Sequence, residues 1–147
     1  MLEKCTYDYA IIRVVPRVER EEFVNVGVIV SCPDKEFLEA RIEFDEDRLL
    51  ALEPKMDLET VRTHLDTFVA ICAGGRQAGP IGTLPQRERF RWLVAPRSTV
   101  IQVSAVHAGR CTNPELALGH LLTTMVSTGR DHDSPVCGAD DGIKSGA

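Results

Sequence analysis

No stretch of this chain approaches the roughly 20 consecutive apolar residues needed to span a bilayer, so no membrane helix is expected. Its start, Met1-Leu-Glu-Lys-Cys-Thr6, lacks both the apolar stretch and the small-residue cleavage site of a secretory signal, which makes the cytoplasm the expected location. Cys-x-x-Cys is missing as well. The five cysteines (Cys5, Cys32, Cys72, Cys111, Cys137) are odd in number and scattered, which argues against a disulfide framework and against a ribbon-type zinc site. No metal and no cofactor is expected. The sequence also lacks Gly-x-Ser-x-Gly, His-Glu-x-x-His, the kinase motifs, the G-x-G-x-x-G fingerprint and the Gly-Lys-Ser/Thr of a P-loop, so no signature of an established reaction is present. Lysine is scarce, at four residues against thirteen arginines, and the net charge of −5 gives no footing for nucleic-acid binding.

What is present is the composition of an ordinary globular domain, 44% hydrophobic and 27% charged over 147 residues, enough for one core. Charge is distributed unevenly: residues 34–66 carry eleven acids against five bases, whereas residues 76–97 carry five arginines against Glu88 alone. Residues 130–147 are nearly devoid of apolar side chains and read as a disordered tail behind a single α+β domain at 1–129.

Hydrophobic periodicity orders the domain. Tyr7–Val15 is β-rich with two largely apolar faces, as in a strand covered on both sides, and Pro16 ends it. Arg13 then points into a partly buried place and needs an acceptor. Phe23–Val30 reads as a second strand, with Asn25 and Gly27 on one face; a mid-strand glycine signals close approach to the backbone. Phe37–Phe44 alternates as a third strand, with Leu38, Ala40, Ile42 and Phe44 inward. A short helix over Asp45–Glu53 precedes a longer one capped by Asp57, whose apolar stripe is Leu58, Val61, Leu65, Phe68, Val69 and Cys72 and which ends at Gly74-Gly75. A loop over 74–89 leads to two further strands, Phe90–Val94 and Val100–Val106. Thr112-Asn113-Pro114-Glu115 starts a last helix that runs to Gly129. The architecture expected is an antiparallel sheet of about five strands with two longer helices packed on one face.

Three stretches place polar groups where no core pattern asks for them. They are Arg13, Arg17, Arg20, Glu22 and Asn25; Pro96-Arg97-Ser98-Thr99; and His107 with Arg110 and Cys111. Converging guanidiniums favour a phosphate or carboxylate. Against this, Glu19, Glu21 and Glu22 match Arg13, Arg17 and Arg20 in number, so local ion pairs account for them equally well. His107 titrates nearest neutrality and fits a general acid or base, or a structural hydrogen-bonding residue, and with Cys111 it suggests a nucleophile pair.

At Arg13-Val-Val-Pro16, continuing to Arg20-Glu-Glu-Phe-Val-Asn-Val-Gly-Val28, the chain resembles the bacterial family called domain of unknown function 3037. Ala95-Pro-Arg-Ser-Thr-Val-Ile-Gln102, continuing to Val106-His107 and Gly109, is a second match, and the likeness runs from about Tyr7 to Val126. The resemblance implies a small cytosolic protein without assigned activity, with a kinase-like protein as partner. It points to Arg13, Pro16, Arg20, Glu22, Asn25, Gly27, Arg97, Ser98 and His107. Two functions follow as expectations. One is a non-catalytic binding or accessory module with an Arg-rich, anion-attracting site for a protein partner or small anion. The other is an enzyme acting on a phosphorylated or nucleotide-like substrate, with Arg13, Arg20 and Arg97 holding the anion and His107 or Glu22 moving the proton.

Overall fold

Alternation along the first strand, β1 (Cys5–Val14), sends Ile12 and Val14 to one side and Tyr7, Tyr9 and Ile11 to the other, and both sides are covered. The computed structural model describes residues 3–97 and 99–128. The tail expected over 130–147 lies outside the described residues. β1 pairs antiparallel with β2 (Val24–Cys32), which pairs antiparallel with β3 (Phe37–Ile42), so the first three strands form the expected meander. The other edge of β1 is shared. Its C-terminal half pairs with β4 (Ile101–Val103) and its N-terminal half with β5 (His107–Cys111), both antiparallel, which completes a five-stranded sheet.

Four helices accompany the sheet: α1 (Glu46–Leu52), α2 (Leu58–Ala73), α3 (Gln86–Leu93) and α4 (Pro114–Met125). Asp45, Asp57 and Asn113 cap α1, α2 and α4 by accepting backbone N–H bonds in the first turn. The α4 cap is therefore Asn113 rather than Thr112. α2 ends at Gly74, whose φ of 80° only glycine adopts without strain. In α2, Val61, Leu65, Phe68 and Ile71 are buried, and each such side chain contributes about 2 kcal/mol gross. Val69, expected in that stripe, is exposed, and Ile71 takes its place in the core.

The fold class is the α+β one expected, but the layers differ. The two longer helices do not share a face. α2 packs on Ile12, Val14, Val24, Val26, Ile29 and Ala40, with Leu49 of α1 and Leu93 of α3 in the same cluster. α4 sets Leu118 and Leu121 on Ile11, Val28 and Val30 of the opposite face. A strand that is apolar on both sides demands two covers, so the pattern of β1 itself accounts for the difference.

Two further expectations change. Phe90–Val94 is not a strand: Phe90 belongs to α3 with Leu93, and Val94 follows at the same helical spacing, all three packing on the α2-side core while Trp92 stays partly exposed. The β preference of Phe, Trp and Val is outweighed by that tertiary contact. The strand expected over Val100–Val106 is instead the short β4, and His107, expected just beyond a strand, opens β5. Between them Ser104 stands in for a regular ladder. Its N–H donates to the Ile11 carbonyl at 2.9 Å, and its Oγ accepts the Ile11 N–H at 2.9 Å. Ser104→Ala leaves that N–H without its acceptor. A loss of about 1 kcal/mol is expected from the urea midpoint, with faster hydrogen exchange at the Ile11 amide.

Pairing between β1 and β2 slips by one residue. Ile12 is opposite Gly27 but Arg13 is opposite Asn25, so Val26 is the extra residue of a β-bulge. The bulge turns Asn25 away from the face that Gly27 occupies, contrary to the expectation that they share one. Asn25 instead joins Arg13 on the α4 side.

Candidate functional site

Arg13 follows Ile11 by two residues along β1 and so lies on the α4-side face, at the end of the sheet that α4 leaves open. Its cross-strand neighbours are Asn25 on β2 and Gln102 on β4. A cavity of about 320 Å³ lies here, walled by Arg13 and Gln102 from the strands, Val15, Val18, Glu21 and Phe23 from the β1–β2 connection, and Arg97 from the segment after α3. Two of the expected site residues, Arg13 and Arg97, thus meet in one place.

The two guanidiniums are held differently. Arg97 closes the C-terminus of α3: Nη1 donates to the carbonyls of Leu93 at 2.8 Å and Ala95 at 3.2 Å, and Nη2 to that of Trp92 at 3.0 Å. Its guanidinium carbon sits 5.2 Å from the Phe68 ring centroid and 4.7 Å from that of Trp92. Burial lowers its pKa from the ordinary arginine value, yet an arginine remains charged at neutral pH. Arg13 has no such anchorage. Its guanidinium carbon lies 4.1 Å from the Phe23 ring centroid, a cation–π contact, and its buried Nε has no hydrogen-bond partner. Among the described residues no carboxylate forms an ion pair with it.

Arg20 and Glu22 are matched to each other, with Arg20 Nε 3.0 Å from one carboxylate oxygen of Glu22 and Nη2 3.3 Å from the other. That bond is the leading reason for the raised pKa of Arg20. Arg17 likewise meets Glu19 at 3.3 Å and Glu53 at 3.9 Å. All three are surface contacts of small energetic weight, and those with Glu19 and Glu22 are local in sequence. Glu21, held at φ 57° between them, is the acid that reaches the cavity wall.

His107 lies elsewhere. It is exposed, directly opposite Tyr9, with ring centroids 5.4 Å apart. Tyr9 is four residues from Arg13 along an extended strand, about 13 Å, so the imidazole does not wall the cavity. The same spacing along β5 separates His107 from Cys111 by about 13 Å, too far for the thiol–imidazole pair that the sequence suggested. Ser98 lies outside the described residues. Among the described residues no group of three or more His, Cys, Asp or Glu side chains is placed to hold a metal ion. Cys32 and Cys72 are buried, and desolvation pushes the Cys72 thiol up to about 12. Among the described residues no helix is long and apolar enough to cross a membrane.

A second cavity, of about 470 Å³, is lined by Asn25, Arg48, Met125 at the end of α4, and Val126, Ser127 and Thr128 just beyond it. Asn25 Nδ2 donates to the Met125 carbonyl at 3.1 Å, whereas its buried Oδ1 has no partner. Sequence reasoning missed Gln102, Glu21, Phe23 and Arg48 as wall residues. Phe23 carried a signal, an aromatic side chain directly after a charged run, and it is 44% exposed.

A family model described as Protein of unknown function (DUF3037) matches residues 9–126, a span that contains the Arg13–Arg97 cavity and every described candidate residue. No curated protein and no solved structure matches the chain.

Proposed function

The chain belongs to the family described as Protein of unknown function (DUF3037), and we propose that it is a non-catalytic binding module whose Arg13–Arg97 cavity takes an anionic group. The observation that carries this reading is Arg13, a buried-edge guanidinium with an unpaired Nε and no carboxylate partner among the described residues. Arg13 lines the cavity with its charge unmatched by a carboxylate among the described residues, and an anion there would pair with the guanidinium. Arg97 adds a second positive charge and Glu21 one negative charge, which leaves the wall one charge positive. A single carboxylate or phosphate group matches that balance. The setting we propose is the bacterial cytoplasm, with an acidic segment of a kinase-like partner, or a small anion, as the group bound. The enzymatic alternative has less support, because His107 is remote from the cavity and Glu22 is engaged by Arg20.

Thermal shift and titration calorimetry with inorganic phosphate and with succinate test the reading. At ten times Kd a bound anion stabilises the fold by about 1.4 kcal/mol. Arg13→Met keeps an unbranched stem over Phe23 and removes the unpaired charge. The variant is expected to keep or raise the unliganded Tm while anion affinity falls at least tenfold. If Arg13 only braces the sheet, Arg13→Met lowers Tm and no anion shifts the native protein, which would refute the proposal.

A further inference from the structure

We propose that Cys5 and Cys111 form a reversible disulfide across the edge of the sheet, made by exchange with a small-molecule disulfide such as oxidised glutathione. The inference does not depend on the anion cavity, whose Arg13 lies about 26 Å further along β1. Cys5 opens β1 and Cys111 closes β5, and the antiparallel register sets the two directly opposite each other. Both are free thiols and both are partly exposed, which leaves the pair open to a small disulfide from solvent.

The register supplies nearly the geometry that the bond needs. Residues opposed in an antiparallel pair stand about 4.5–5.5 Å apart at Cα, inside the range of about 4.4–6.8 Å found for disulfides. Their Cβ atoms point to one face about 4.5–5.5 Å apart, against about 3.5–4.5 Å in a disulfide. A closure of about 1 Å is therefore enough. It falls on the terminal positions of both strands, where a ladder opens and closes most freely. Tyr7, the next residue of β1 on that face, packs its ring across Gly109: a Cβ at 109 would stand 2.7 Å from the Tyr7 hydroxyl. That contact holds β5 in register beside the pair.

The other described cysteines are set apart from this chemistry. Cys32 ends β2 on the same face, two residues beyond Val30, but it is fully buried. Burial pushes its thiol pKa up, and the nearby Cys111 and Cys5 sulfurs add to the rise. It stays protonated at neutral pH and is a poor nucleophile. Cys72 belongs to the core on the opposite face.

The exchange runs in two steps. One cysteine thiolate attacks a sulfur of the small disulfide, forms a mixed disulfide and releases one small thiolate. The second cysteine thiolate then attacks the protein sulfur of that bond and expels the other. The protein loses two electrons, the small disulfide gains them, and the two cysteine protons end on the two small thiols. In the cytoplasmic setting proposed above, such a bond is transient and reports the thiol redox state. It ties the start of β1 to the strand that leads into the Asn113 cap of α4.

The test treats the full native chain with oxidised glutathione, alkylates the remaining thiols and maps the linkage by mass spectrometry. Trypsin cuts after Lys and Arg and places the five cysteines in five separate peptides, so each bond is assigned without ambiguity. The chain is expected to lose the mass of two hydrogens, with peptide 5–13 joined to peptide 111–130. That linkage should exceed every other at least tenfold in the native chain and lose its preference in the urea-unfolded chain. Closing so long a loop should raise Tm by about 5 °C or more, and dithiothreitol should reverse the rise. Cys5→Ser and Cys111→Ser should each abolish the linkage and the rise, whereas Cys137→Ser keeps both. A dominant bond to Cys32 or Cys137 overturns the inference. So does glutathione retained on Cys5 and Cys111 as two separate mixed disulfides, or a rise in Tm that survives Cys5→Ser.

Discussion

Gly27→Val is expected to lower the stability of the fold by about 3 kcal/mol, a drop of roughly 10 °C in Tm, and to weaken anion binding as well. Gly27 pairs with Ile12 on one side and Ile42 on the other, in the middle strand of the first three. A Cβ there would stand 2.6 Å from Ile42 Cδ1 and 2.8 Å from the Arg41 carbonyl oxygen. The Ile42 tip can rotate aside. The backbone carbonyl cannot, because it belongs to β3, so the two strands must separate. The residue next to Gly27 is the bulge at Val26, which turns Asn25 toward Arg13. A displaced β2 therefore moves Asn25 as well as the core. Urea denaturation measures the first effect and calorimetry with phosphate the second. Gly27→Ala should show a smaller loss of both. A Val variant with native stability would mean that β3 yields freely at Arg41.

The glycine was legible in the sequence because its reason is local. A residue without a side chain in the middle of Phe23–Val30 implies that something approaches the backbone, and Arg41 does. The cap at Asp57 and the alternation of Leu38, Ala40 and Ile42 were readable on the same ground, since each is fixed by atoms a few residues away. The bulge at Val26 was not. It depends on which residue of β1 lies opposite, and one slipped register reverses the face of everything beyond it. Asn25 and Gly27 share a face when counted by two and do not when paired. The helix at Gln86–Leu93 failed for a related reason. Phe90, Trp92 and Val94 alternate like a strand, while Phe90, Leu93 and Val94 also mark one face of a helix, and the contact with α2 decides between them.

The candidate site was legible in part. Arg13 stood out because a charged residue in a doubly apolar strand needs a partner, and the structure leaves its Nε without one. Arg97 was found from the same kind of anomaly, yet its hydrogen bonds go to the end of α3. Arg20 and Glu22 were half anticipated by the equal numbers of acids and bases in 13–22. Which acid pairs with which base could not be read, because pairing follows the turn at Val18–Arg20. The wall residues Gln102 and Glu21 carry no sequence signal. They become neighbours of Arg13 through the β1–β4 register and the left-handed turn at Glu21.

Arg89→Ala is expected to cost about 3 kcal/mol, with Arg89→Lys recovering less than half of it. The stretch 76–97 holds five arginines and one acid, and arginine suits carboxylate or phosphate contacts. Arg89 shows a different use of the charge. Its Nη1 donates to the carbonyls of Ile71 at 3.0 Å and Cys72 at 2.7 Å, and its Nε to that of Leu84 at 2.9 Å. Two of these acceptors lie in the last turn of α2, where unsatisfied carbonyls gather the negative end of the helix dipole. The third anchors the Gly/Pro-containing connection that precedes α3. Arg97 does the same for α3 itself. The arginines of this stretch are thus balanced in part by backbone, which a count of acids does not include. Ala at position 89 leaves three carbonyls without their donor and frees the connection from α2. Lysine offers a point charge that cannot span acceptors on two segments. Heat denaturation followed by circular dichroism gives the size of the loss, and proteolysis between residues 74 and 85 locates it. Cleavage there should accelerate at least tenfold in Arg89→Ala, while phosphate binding at the remote Arg13 cavity persists. Unchanged proteolysis would mean that the connection is held by its own 3₁₀ turns, and that Arg89 serves α2 alone.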